Sequence, residues 1–132
     1  MLGLIAASHE VETRLETALE PLGLSLAKFG VLSRLLEAGE PLPLGALADR
    51  LACVRSNITS LIDRLEADRL VARLADAQDR RSTQAQLTPN GRARYQAGQK
   101  TLQTAARDAL APLPRGQREA LGKLMRMLRR EP

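Results

Sequence analysis

From residue 3 to residue 20, apolar side chains recur at helical spacing as Leu4, Ala7, Val11, Leu15, Ala18 and Leu19, while Glu12, Glu16 and Glu20 stack along another side as a solvated face. This pattern predicts a first helix, broken by "PLGLS". Ser25 is placed to cap a second helix, in which Leu26, Phe29, Leu32 and Leu36 keep the period until Gly39 stops it. "EPLPLG" then reads as a short extended connector, because each proline forces its predecessor out of helical geometry. Two short amphipathic segments follow. Leu44 to Leu51 carries Leu44, Leu47, Ala48 and Leu51 on one face, and Arg55 to Asp68 carries Ile58, Leu61, Ile62 and Leu65. Two such helices joined by about three residues are the sequence form of a helix-turn-helix.

Beyond them the period changes. "LVARLA" and "TQAQLT" alternate enough to be two strands of a hairpin around the polar stretch that holds Asp79, Arg80 and Arg81. Thr88 is then an N-cap with Pro89 at the first helical position, predicting a long helix to about Leu110. "PLPRG" interrupts it, and Gln117 to Arg130 forms a last helix with Leu121, Leu124, Met125 and Leu128 on one stripe, Met125 in the core. The predicted order is four helices, a hairpin and two helices. A helix-turn-helix followed by a two-stranded ribbon with a basic tip is a winged helix, so the expected fold class is mainly α with a small β-hairpin wing.

Composition narrows the picture. A chain of 132 residues fits one domain, and with 44% hydrophobic but only 2% aromatic residues its core must be aliphatic, mainly Leu and Ala. The apolar "MLGLIAAS" is short and lacks a basic flank, so neither a signal peptide nor a membrane span is expected. A lone cysteine, Cys53, makes a reducing cytoplasm the default location. There is no phosphate-binding glycine loop, no metal-ligand spacing around the single His9, and no Ser, His and Asp set with a plausible geometry. An enzyme, a metal site and a cofactor are therefore not expected. The net charge of +5 is unevenly spread: residues 1–40 carry −3, residues 55–94 carry +3 and residues 95–132 carry +5. An acidic start and a basic end suggest that the terminal segments pair, and the basic middle is a candidate nucleic-acid face.

The second helix of the pair turns Ser56, Thr59, Ser60, Asp63 and Arg64 away from its apolar stripe, with Arg55 and Asn57 flanking its start. Short hydroxyl side chains with an Arg and an Asn at that end suit a helix lying in the DNA major groove, although the same residues also make an ordinary wet surface. An arginine at a hairpin tip fits a narrow minor groove, and equally a solvated tip.

The run from Leu47 to Arg92, "LADRLACVRSNITSLIDRLEADRLVARLADAQDRRSTQAQLTPNGR", resembles the core of the multiple antibiotic resistance regulator (MarR) family of bacterial transcription factors. The matching motifs are "N-I-T-x-L-I-D-R-L-E", the following "L-V", the "D-x-x-D-R-R" wing and the "L-T-x-x-G" that starts the next helix. The resemblance implies a single domain over 1–132, with 1–24 and 95–132 as interlocking dimerisation helices and 25–94 as the winged lobe. The function it implies is a homodimeric repressor on a pseudo-palindromic operator in double-stranded DNA, released by a small aromatic or phenolic ligand. By this resemblance Arg55, Ser56, Thr59 and Ser60 contact bases or nearby phosphates, Asn57 the backbone, and Arg80 the minor groove. Arg81 pairs with Asp63 to tie the wing to the helix, and Asp79 braces the turn. His9, Arg14 and Phe29 are the candidates for a ligand pocket. Two positions depart from the family pattern: Ser60 stands where a basic residue is common, and Val54 where a hydroxyl cap usually precedes the helix. Cys53 reads as a small turn residue, since the redox cysteine of some relatives lies in the first helix. The alternative function is a winged-helix protein-interaction module without DNA binding.

Overall fold

Ser25 and Gly39 bound the second helix as expected. In the computed structural model, which describes residues 2–51, 55–76, 78 and 82–130, helix α1 spans Leu2–Leu19 and helix α2 spans Leu26–Ala38. The Ser25 hydroxyl accepts from the Lys28 amide at 3.1 Å, while the Glu16 carboxylate, reaching over from α1, accepts from the Leu26 amide at 2.9 Å. Glu16 is thus a cap for α2 and not a member of a solvated face. Two otherwise orphaned amides are satisfied from separate elements, each cap contributing about 1 kcal/mol. Between the helices, a 3-10 turn over Glu20–Leu22 ends at Gly23, whose φ of +67° only glycine adopts without cost.

The "EPLPLG" connector corrects an expectation, because Leu42–Pro43 forms a short strand, β1. It pairs antiparallel with β3, Thr83–Leu87, through Leu42 opposite Ala85 and Pro43 opposite Gln84. Strand β2, Val71–Ala75, lies on the other side of β3 in the register Val71 opposite Leu87 to Ala75 opposite Thr83. The wing is therefore rooted in a three-stranded sheet of order β1-β3-β2. Proline is tolerated in β1 because that strand is an edge.

Helix α3, Leu44–Arg50, and helix α4, Arg55–Ala67, form the pair. Helix α5, Pro89–Leu110, starts at the Thr88 cap, and α6 runs over Arg115–Leu128, displaced toward the N-terminus from the expected 117–130. Its start moves because the amides of Gln117 and Arg118 both donate to the Pro114 carbonyl at 3.0 Å, and its end because Arg130 turns to a φ of +57°.

The core is wholly aliphatic, built from Leu19, Leu32 and Leu35 of the first two helices, Leu47 of α3, Ile58, Ile62 and Leu65 of α4, and Ala85 of the sheet. No described polar side chain is buried. Helix α6 contributes nothing to this core. Met125, expected inside, is only half-buried, and Leu124 and Leu128 of the same stripe are 54% and 66% exposed, as are Leu4 and Ile5 of α1 at 50% and 61%. Among the described residues no helix is long and apolar enough to cross a membrane.

Candidate nucleic-acid interface

Helix α4 has two faces of opposite chemistry. Ile58, Ile62 and Leu65 are fully buried, and on the other side Asn57, Thr59, Ser60, Asp63 and Arg64 are all exposed. The 3.6-residue period forces this division once the isoleucines enter the core. Toward its start this face carries only the short side chains of Asn57, Thr59 and Ser60, which leave room for a duplex to approach the helix backbone closely.

Arg73 on β2 fixes this helix relative to the wing. Its guanidinium donates to the Asp63 carboxylate, to Glu66 Oε1 at 3.1 Å and to the Thr59 carbonyl at 3.4 Å, while its backbone amide donates to Glu66 Oε2 at 2.9 Å. That amide lies on the open edge of the sheet, where an unpaired donor would invite foreign pairing, and Glu66 closes it. The hydrogen bond to Asp63, reinforced by the bond to Glu66 and their negative charges and opposed by burial, raises the Arg73 pKa above its ordinary value. Arg73 therefore holds its charge at every working pH. Sequence reading overlooked it. The signal was available: alternation along β2 puts Arg73 on the face of the buried Val71, and a cation there requires carboxylates, which Asp63 and Glu66 supply at i, i+3 on α4.

The base of the wing explains the threonine and glycine of "LTPNG". The Thr88 hydroxyl accepts from the Gly91 amide at 2.9 Å and lies within donating distance of the Arg69 and Leu70 carbonyls, at 2.8 and 3.0 Å. Gly91 is required by contact rather than by φ, since a Cβ there would stand 2.0 Å from the Leu70 oxygen. The same turn ends α4. Leu70 donates to the Leu65 carbonyl and Arg69 to that of Glu66, both at 2.9 Å, with Arg69 at a φ of +60° and Leu65 and Leu70 buried together. This is a Schellman closure in which arginine occupies the position glycine usually takes.

Comparison with known proteins agrees with this geometry. The MarR family model matches residues 24–83. The crystal structure of a probable transcriptional regulator from Pseudomonas aeruginosa superposes with a TM-score of 0.84 at 30% identity, covering 96% of this chain and 94% of that one. The chain belongs to the MarR family. This family consists of winged helix-turn-helix transcriptional regulators and not of enzymes. The MarR-family protein Rv2887 of Mycobacterium tuberculosis, solved in complex with DNA, is similar at 25% identity and a TM-score of 0.81, over 95% of this chain and 93% of that one. The HTH-type transcriptional regulator MhqR of Bacillus subtilis is 38% identical over 69 residues, which span 52% of this chain and 47% of MhqR, about half the length of that curated relative.

Within this MarR frame the structure brings Asn57, Thr59, Ser60, Asp63 and Arg64 onto one exposed face. Arg55 opens α4 by its backbone; its side chain and that of Ser56 lie outside the described residues, as do Cys53, Val54, Asp79, Arg80 and Arg81. The link expected between Arg81 and Asp63 is thus not described, and among the described residues the cation that engages Asp63 is Arg73. The three pocket candidates have separate environments. His9 lies exposed in a shallow depression along α1 with Leu4, Ile5, Ser8 and Glu12; Arg14 pairs with Glu10 at 3.4 Å; Phe29 stacks on Tyr95 with ring centroids 4.9 Å apart. Among the described residues no group of three or more His, Cys, Asp or Glu could hold a metal ion.

Proposed function

We propose that this chain is a homodimeric, sequence-specific DNA-binding transcriptional regulator, a cytoplasmic repressor released by a small aromatic or phenolic ligand. The observation that carries the reading is the exposed polar face of α4, held in register with the wing by Arg73. Arg55, Ser56, Asn57, Thr59, Ser60 and Arg64 would meet the major groove and its phosphates. Arg80 would enter the minor groove, with Asp79 bracing the turn and Arg81 a second cation for Asp63. That a relative of this fold was solved in complex with DNA supports the DNA-binding reading, and the exposed leucines of α1 and α6 support a dimer. Release by a ligand rests on family membership, with His9, Arg14 and Phe29 as candidate contacts. A ligand that preferred one spacing of the two lobes would shift the population away from the DNA-competent form.

The test is binding of the purified protein to duplex fragments selected from its own genome, measured as salt is raised. Affinity should fall steeply, as expected when several phosphates are neutralised. No binding at low salt would favour the protein-interaction module instead.

A further inference from the structure

Lys28 and Asp68 each stand where their own helix disfavours them. Lys28 is a cation in the first turn of α2, next to the positive end of that helix, and Asp68 is an anion just past the last turn of α4, at its negative end. Local propensity gives neither residue a reason to be there. The two meet, however: the Lys28 ammonium lies 3.5 Å from Asp68 Oδ2 and also donates to the Gly23 carbonyl at 3.3 Å.

What they join gives the contact its meaning. Gly23 closes the turn after α1, with the Leu24 amide donating to Leu19 at 3.2 Å and the Gly23 amide to Glu20 at 2.9 Å. Asp68 opens the equivalent turn after α4. Both are Schellman closures, and Lys28 is a strut between them. The first turn is held from other sides too: Arg94 of α5 donates to the Leu22 carbonyl, and Glu16 of α1 accepts from the Leu26 amide. Residues 20–25 therefore form an elbow clamped from α1, α2 and α5, to which Lys28 adds the end of the recognition helix.

We propose that Lys28, with Asp68, is a positioning residue that sets the angle of the recognition helix relative to the elbow leading out of α1. This rests on the DNA-binding reading above. In a dimer joined through its terminal helices, that angle sets how the two recognition helices are spaced, so the strut acts on binding to two half-sites and not on contact with one.

The test compares Lys28→Met, Asp68→Asn and the double variant on a genome-selected duplex and on the same duplex cut back to one half-site. Each single variant should lose about three- to tenfold on the full site, the scale of a partly exposed ion pair acting in both lobes. Half-site affinity and melting temperature should stay near those of the unaltered protein, and the double variant should be no worse than Lys28→Met alone. Full-site affinity unchanged in both single variants would overturn the proposal, as would equal losses on full and half-sites or additive losses in the double variant. Asp68 is half-exposed, so Asp68→Asn keeps the test valid should Lys28→Met fold poorly. Failure of the unaltered protein to bind any duplex would sink the DNA reading itself, a result distinct from all of these.

Discussion

Helices α4 and α6 are nearly equal in length, at 13 and 14 residues, both are amphipathic, and both are followed by an arginine at positive φ, Arg69 and Arg130. Yet α4 buries Ile58, Ile62 and Leu65 completely, whereas no residue of α6 is buried and Leu124 and Leu128 remain more than half exposed. The difference lies in what the chain supplies around them. Helices α2 and α3 and strand β2 pack against α4, while no other described element packs extensively on α6. An amphipathic pattern records that one face needs cover and is silent about what provides it. For α4 the cover is its own domain; for α6 it would be the second copy of the proposed dimer, where burying a leucine contributes about 1.5–3 kcal/mol that the isolated chain forgoes.

Substitutions on the two stripes should separate these roles. Ile62→Ala should cost about 2–5 kcal/mol at every protein concentration, whereas Leu128→Ala in dilute solution should stay within about 0.5 kcal/mol, both read from urea denaturation. Equal losses would erase the contrast. Leu124→Asp should weaken self-association about a hundredfold, roughly 3 kcal/mol, and remove the concentration dependence of melting, as followed by sedimentation velocity. On the polar side of α4, Asn57→Ala should leave the melting temperature nearly unchanged and weaken DNA binding by about 1 kcal/mol, equally on all sequences, as a contact to the DNA backbone would. Arg73→Ala should cost about 1 kcal/mol of stability and increase amide exchange along β2, the strand it fastens to α4. Smallest is the effect at the helix ends: Arg69→Gly should stabilise by about 0.5–1 kcal/mol because φ is +60° there, and Arg130→Gly less, since its turn covers no core.

How far the sequence was legible follows from the range of the interactions involved. The caps at Ser25, Gly39 and Thr88 and the alternation of β3 are written within a few residues, and the elements they predict formed where expected. Strand β1 was missed because its pairing partner, Ala85, lies far along the chain from Leu42, and two residues containing a proline carry no strand period of their own. Glu16 looked like one more surface acid, and only folding brings the Leu26 amide to it. The polar face of α4 was readable because the buried isoleucines fix which way it points. The fastening of that face by Arg73 was half legible: alternation along β2 marks Arg73 as a cation that needs carboxylates, but that α4 supplies them depends on the wing's register with the helix, which no single segment contains.

Whether two copies of α4 dock together on DNA can be read by hydroxyl-radical footprinting of the protein on a selected genomic duplex, which reports how many helices dock and how far apart. Two protected patches should appear on one face of the DNA, about one helical turn of roughly 34 Å apart. A single patch, or no protection under conditions where the protein is folded, would contradict paired docking.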